Sequence, residues 1–175
     1  WKDADFSSVA KKYKITENEV LKIVLKVNKK LPGQQSKIRF EYYLNKAKEG
    51  DPNSIYKVGS SYSFGFTPEG RNEEEALKYY KKAAELGHGD AQWQIAQLYF
   101  VGYSPGIQEV KVKIDKVLGY AWNELAIKNR AGHANSNATH TRKYYMKPKM
   151  SPDQITKAEA LVKEMVKKNP KLLKD

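Results

Sequence analysis

The chain has 175 residues, 40% hydrophobic and 30% charged, which supports one well-buried core and does not require a second. It contains no cysteine, so a disulfide framework, a thiolate metal site and a cysteine nucleophile are excluded. The formal charge of +12 is concentrated at the ends: residues 1–37 carry 9 basic and 4 acidic groups and residues 133–175 carry 10 and 4, whereas residues 38–87 carry 8 of each.

Taken in chain order, the first expected elements form a helical hairpin within residues 1–37. Phe6, Val9, Ala10, Tyr13 and Ile15 predict a short helix. Thr16 caps the next one with Glu19, and Ile15 and Val20 are spaced as a hydrophobic staple. Val20, Ile23, Val24 and Val27 share one face of that second helix. Its apolar run is interrupted by Lys22 and Lys26 and falls far short of the roughly 20 residues that span a bilayer, so no membrane span is expected. The join of the two helices resembles a DNA-binding helix-turn-helix, but the turn lacks glycine and the wide apolar face leaves few side chains to read bases. The hairpin is read as an N-terminal cap. Because the chain starts at Trp1 rather than methionine, a signal or lipoprotein segment is expected upstream.

Residues 38–150 carry an internal repeat. Ser54, Tyr56, Val58, Gly59, Tyr62 and Gly65 align with Ala91, Trp93, Ile95, Ala96, Tyr99 and Gly102, each pair 37 residues apart. Asn45 to Gly50 aligns with Lys82 to Gly87 at the same offset. A weaker copy, offset by 45, pairs Gly87 with Gly132, His88 with His133 and Tyr99 with Tyr144, after a longer loop around Ser104 to Lys113. The copies fall at about 38–87, 88–132 and a degenerate 133–150.

Each copy predicts two helices. Asp51-Pro52 supplies a cap and a first-turn proline, Asn72 with Glu75 predicts a capping box, and Gly50, Gly87 and Gly132 are placed to close helices in the left-handed conformation. Glu73-Glu74-Glu75 suits the positive end of a helix dipole. Gly59 and Ala96 are small where helices approach, and Tyr62 and Tyr99 fill the adjacent groove. In the last copy His140 and Thr141 replace the aliphatic and small residues. Residues 151–175 form a closing helix and tail. Ser151 caps with Gln154, Met150 staples to Ile155, and Ile155, Ala158, Leu161, Val162 and Met165 make one stripe up to about Lys168.

These motifs resemble the Sel-one-like repeats, short relatives of tetratricopeptide repeats common in bacterial proteins. The family pattern of small, aromatic, aliphatic, small, tyrosine and glycine stands here as Ala91, Trp93, Ile95, Ala96, Tyr99 and Gly102. Its second helix stands as Ala76 to His88, Tyr120 to Ala126 looks like the variant before the last repeat, and Met150 to Ile155 looks like the usual closing helix. The resemblance implies an all-α, right-handed α-solenoid of stacked antiparallel helix hairpins with N- and C-terminal helical caps, in one continuous structural domain.

The functional expectation follows from what the residues do not form. His88 and His133 recur at equivalent turns, where a family histidine caps or hydrogen-bonds a loop, and no ordered nucleophile, base and acid, phosphate loop or metal-ligand spacing stands out. No catalytic residue, cofactor or metal is assigned. Stacked hairpins curve, and the first helix of each pair lines the concave side. The expected partner-binding face is Tyr56, Ser60, Ser63 and Phe64 in one copy and Trp93, Gln97 and Phe100 in the next. The repeated aromatic position at Tyr56 and Trp93 serves either as an interface anchor or as packing between copies. The expected function is a non-enzymatic protein–protein interaction scaffold of the periplasm or cell envelope, as the resemblance implies for many small members. A narrower alternative is an immunity protein that neutralises an acidic effector. A further alternative is nucleic-acid or anionic-membrane binding through the basic ends.

Overall fold

The computed structural model describes residues 6–27, 32–129 and 132–173, and within them the chain is helical without a β-strand. α1 (Phe6–Tyr13) and α2 (Glu17–Val27) form the expected first hairpin. Lys14 takes the left-handed conformation at the turn (φ 54°), and the Ile15 N–H closes back on the Ala10 carbonyl at 3.0 Å. Lysine thus stands where glycine is usual. Thr16 caps α2 as expected: its hydroxyl accepts the Glu19 N–H at 3.2 Å, and the Glu19 carboxylate accepts the Thr16 N–H at 2.7 Å. Ala10, Val20 and Val24 form a small core with Phe6, Val9, Ile15 and Ile38. Two expected core residues differ. Tyr13, the last residue of α1, is exposed, and on α2 Ile23 is exposed while Leu21 is buried, because the buried stripe of α2 turns toward the Leu21 side. The side chain of Val27 lies outside the described residues.

α3 (Pro32–Lys48) runs unbroken through residue 37, where the change of charge suggested that the cap ends. The helix serves both neighbours: Ile38 packs on the α1–α2 core, whereas Phe40 and Ala47 belong to the central core. A shift in surface charge there does not interrupt an apolar face. Lys46 ties the layers together, pairing with Glu17 of α2 at 2.7 Å.

Two regular hairpins follow: α4 (Pro52–Phe64) with α5 (Glu73–Glu85), and α6 (Gly89–Val101) with α7 (Lys116–Lys128). Asp51 caps α4 by accepting the Ser54 N–H at 2.8 Å, with Pro52 in the first turn. Asn72 caps α5 through the Glu75 N–H at 3.0 Å, but only this half of the expected capping box forms. The Asn72 N–H is already donated to the Tyr62 carbonyl at 2.9 Å, and Glu75 pairs with Lys78. Gly50 and Gly87 adopt φ of +90° and +78° as expected, whereas Gly132 opens α8 rather than closing α7. The central core gathers Phe40, Ile55, Val58, Tyr80, Ile95 and Ile107 from four helices and a loop. Tyr62 fills its groove by stacking on Tyr79 at 5.7 Å.

Glu73 does more than complement a dipole. Its side chain is buried beside Arg71, and one carboxylate oxygen accepts the backbone N–H groups of Gln108 at 2.7 Å and Glu109 at 2.6 Å. The long loop of the second hairpin is thereby fastened to the start of α5. Burial pushes the Glu73 carboxyl up, but the two N–H donors and Arg71 outweigh it and hold the group below its ordinary value. A lowered folded value means that the contribution is present above the ordinary carboxylate range and is lost as pH falls through the folded value. Glu73→Ala is expected to lower the hydrogen-exchange protection of the Gln108 and Glu109 amides at neutral pH, and the unsubstituted protein to lose the same protection on acidification when rates are compared with the intrinsic rate at each pH. Unchanged protection in the variant would remove this fastening role.

The third copy departs from a regular hairpin, as its sequence suggests. α8 (Gly132–Thr141) passes into a π-helical turn at Arg142–Met146 and a 3-10 turn at Lys147–Lys149. The Arg142 guanidinium bonds both carboxylate oxygens of Glu124 on α7, at 3.1 and 3.2 Å, and Met146 is fully buried. α9 (Pro152–Lys168) then closes the stack with the expected reciprocal Ser151–Gln154 box, at 3.0 and 3.2 Å. Its Ala158 packs with Phe100 and Tyr120, and its Val162 with Ala121 and Leu125. No helix among the described residues is long and apolar enough to cross a membrane.

Candidate protein-binding face

The structure divides the seven residues of the expected face into three groups. Ser63 and Phe100 do not belong to it. Ser63 is 1% exposed, with its hydroxyl 3.0 Å from the buried Tyr80 hydroxyl, and Phe100 is 3% exposed among Ala96, Tyr120, Met146 and Ala158. Both are core residues, because the C-terminal part of each first helix turns this side toward its partner helix or the closing elements.

Tyr56 and Trp93 are struts between copies. Tyr56 stacks on His88 at 4.5 Å and on Tyr80 at 5.4 Å, and burial next to Tyr80 and Asp90 pushes its hydroxyl far above the usual tyrosine range. Trp93 donates its indole N–H to the Thr141 hydroxyl of α8 at 3.3 Å. The repeated aromatic position therefore reaches the next copy in both cases. Each ring is half-buried, so part of its surface stays accessible beside this packing role.

Ser60, Gln97 and Phe64 remain as accessible candidates. Ser60 and Gln97 are half-buried, 37 residues apart at equivalent repeat positions. Phe64 is 53% exposed and lies beside the exposed Phe66, ring centroids 6.3 Å apart. Ser60 also opens on a groove between α3 and α4 of about 340 Å³, which Tyr43 and Phe66 wall.

The histidines hold structural places where they are described. His88 caps α6, its Nδ1 accepting the Ala91 N–H at 3.3 Å. His140 is exposed with its ring 4.7 Å from that of Tyr144. The side chain of His133 lies outside the described residues.

Sequence reasoning missed a buried amide pair. Gln92 is fully buried on α6; its Nε2 donates to the carbonyls of Ala84 at 3.1 Å and Leu172 at 2.8 Å, and its Oε1 accepts from Asn129 at 2.6 Å. Asn129 donates to the same Leu172 carbonyl at 2.8 Å. These groups read the backbone of the C-terminal tail, and Asn169 adds a bond to the Glu85 carbonyl at 2.9 Å. One signal was available: Gln92 lies on the helical stripe of Ile95, Ala96 and Tyr99, so a buried amide there requires partners.

The Sel1 repeat model matches residues 52–88 and 89–129. Those segments are two Sel1 repeats. The first Sel1 repeat is α4 and α5, and the second is α6, its long loop and α7. The chain is also similar to a solved structure described as a protective antigen present in uropathogenic Escherichia coli strains and displaying an SLR (Sel1-like repeat) fold. The TM-score is 0.61 at 22% identity over 84% of this chain, which spans 29% of that chain's length. At that identity the likeness carries the fold alone. No curated protein matches the chain. The two Sel1 repeats account for the regular hairpins, and α1 to α3 and α8 to α9 extend the stack on either side.

Proposed function

We propose that the chain is a non-enzymatic protein–protein interaction scaffold that binds its partner on the face of the first helices of its Sel1 repeats, α4 and α6. The observation that supports this most is the pair Ser60 and Gln97. They occupy equivalent positions on the two first helices and stay accessible, whereas Tyr56, Ser63, Trp93 and Phe100 on the same helices are committed to packing. Phe64 and Phe66 lie at the end of the same face, where exposed aromatics serve as anchors in interfaces. Trp93 is left intact in the test, because it ties α6 to α8. Replacing Ser60 and Gln97 together by glutamate is expected to abolish co-purification of a protein partner from the native source while the thermal melt stays within about 2 °C. Retention of the partner by the folded double variant would move the interface elsewhere on the stack.

A further inference from the structure

We infer that the α3–α4 groove is the seat for an acidic, extended peptide segment of the partner. This rests on the scaffold reading and specifies the chemistry it selects. The groove is lined by Arg39 and Ser36 from α3 and by Lys57 and Ser60 from α4, with Tyr43 and Phe66 as aromatic walls, and no lining residue carries a carboxylate.

The surrounding segment is neutral in sum, with 8 basic and 8 acidic groups over residues 38–87, so this local excess is a matter of arrangement. None of its acids lines the groove, and several are used internally. Glu73 holds Arg71 and the long loop, Glu75 pairs with Lys78, and Glu49 pairs with Lys46. Among the described residues neither Arg39 nor Lys57 has a carboxylate partner. The Lys57 ammonium lies over the Tyr56 ring, its Nζ 5.8 Å from the centroid.

Two cations flank a cleft that Gln35, Ser36, Ser60 and Ser61 also line with neutral polar groups, and the two aromatic walls leave room for an apolar side chain. A segment that alternates carboxylates with a bulky apolar residue satisfies all of these groups together. The arginine can take a carboxylate in two-point fashion while the lysine supplies a point charge. Opposite charge across an interface sets both selectivity and association rate.

The test uses the full chain and a fluorescein-labelled peptide of repeated Asp-Glu-Phe, with Asn-Gln-Phe and Lys-Lys-Phe peptides as comparisons, read by fluorescence anisotropy. The acidic peptide is expected to bind, the other two to bind at least about tenfold more weakly, and added salt to weaken the acidic one. Arg39→Glu with Lys57→Glu is expected to lower its affinity by at least about tenfold with an unchanged melt, and Lys81→Glu on the outer face of α5 to change it less than about twofold. Equal binding of acidic and neutral peptides, or no effect of the double reversal, overturns the inference. So does a single-stranded oligonucleotide that binds as tightly and is lost in the same variant, since the groove is then a general polyanion site. If the acidic peptide fails while the Ser60 and Gln97 variant still loses its partner, the scaffold reading stands and only the groove assignment falls.

Discussion

Gln92→Ala is expected to destabilise the protein by about 3 kcal/mol and to lower its melting temperature by about 6–12 °C. Three hydrogen bonds end at this one amide, to Ala84, Leu172 and Asn129, and its side chain is fully buried. Truncation leaves a cavity and strips partners from groups that water does not reach. Gln92→Met separates the two contributions, because it keeps most of the volume and removes only the hydrogen bonds. It is expected to retain about half of the loss. The tail depends on the same amide, since Leu172 packs on Ala121, Leu125 and Val162 while its carbonyl is held by Gln92 and Asn129. Trypsin is therefore expected to cut after Lys168 or Lys171 faster in both variants. A melt within error of the unsubstituted protein, with unchanged cleavage, would show that the tail is held without the amide.

Gly119→Ala is expected to be destabilising by about 2 kcal/mol, with a melting temperature lower by about 4–8 °C. In an open helix the substitution has the opposite sign, because alanine is favoured by about 1 kcal/mol. Here a Cβ would stand 2.8 Å from the Phe100 backbone nitrogen, 2.9 Å from the Phe100 Cβ and 3.0 Å from the Ala96 carbonyl oxygen. Backbone atoms of α6 cannot turn aside as a side chain does, so α6 and α7 must separate, and Phe100 and Tyr120 lose their packing with Met146 and Ala158. Gly50→Ala provides a contrast, with φ +90° but nothing within 4 Å of the added carbon. Its cost is conformational only. A melt unchanged or raised in Gly119→Ala would mean that the two helices are not this close.

Both sites show which part of the fold the sequence makes legible. Signals that act within one turn are read directly: Thr16 with Glu19, Asp51 with Pro52, and Ser151 with Gln154 each place a helix start. The 37-residue spacing of Tyr56 and Trp93 likewise marks equivalent helices before any contact is known. Contacts between distant segments leave weaker traces. Gln92 meets Leu172 across 80 residues, and Glu73 meets Glu109 across 36, and neither pairing has a local pattern. The accessibility of the candidate face was half legible for the same reason. Repeat equivalence pointed to Ser60 and Gln97, which are accessible, but Ser63 and Phe100 are buried by Tyr80 and by Met146 and Ala158, whose placement follows from tertiary packing. The π-helical turn at Arg142–Met146 was equally hidden, since Thr141 and Arg142 are fixed by Trp93 and Glu124 on other helices.

The central claim, a protein partner held on the first helices of the two Sel1 repeats, is tested most directly by placing a photo-activated cross-linking amino acid at Gln97 and, separately, at Lys81 in the native source. Cross-linking at Gln97 is predicted to join the chain to a discrete protein that Lys81, exposed on α5, does not capture. The same products from both positions, or none from Gln97 while Lys81 yields one, would contradict it.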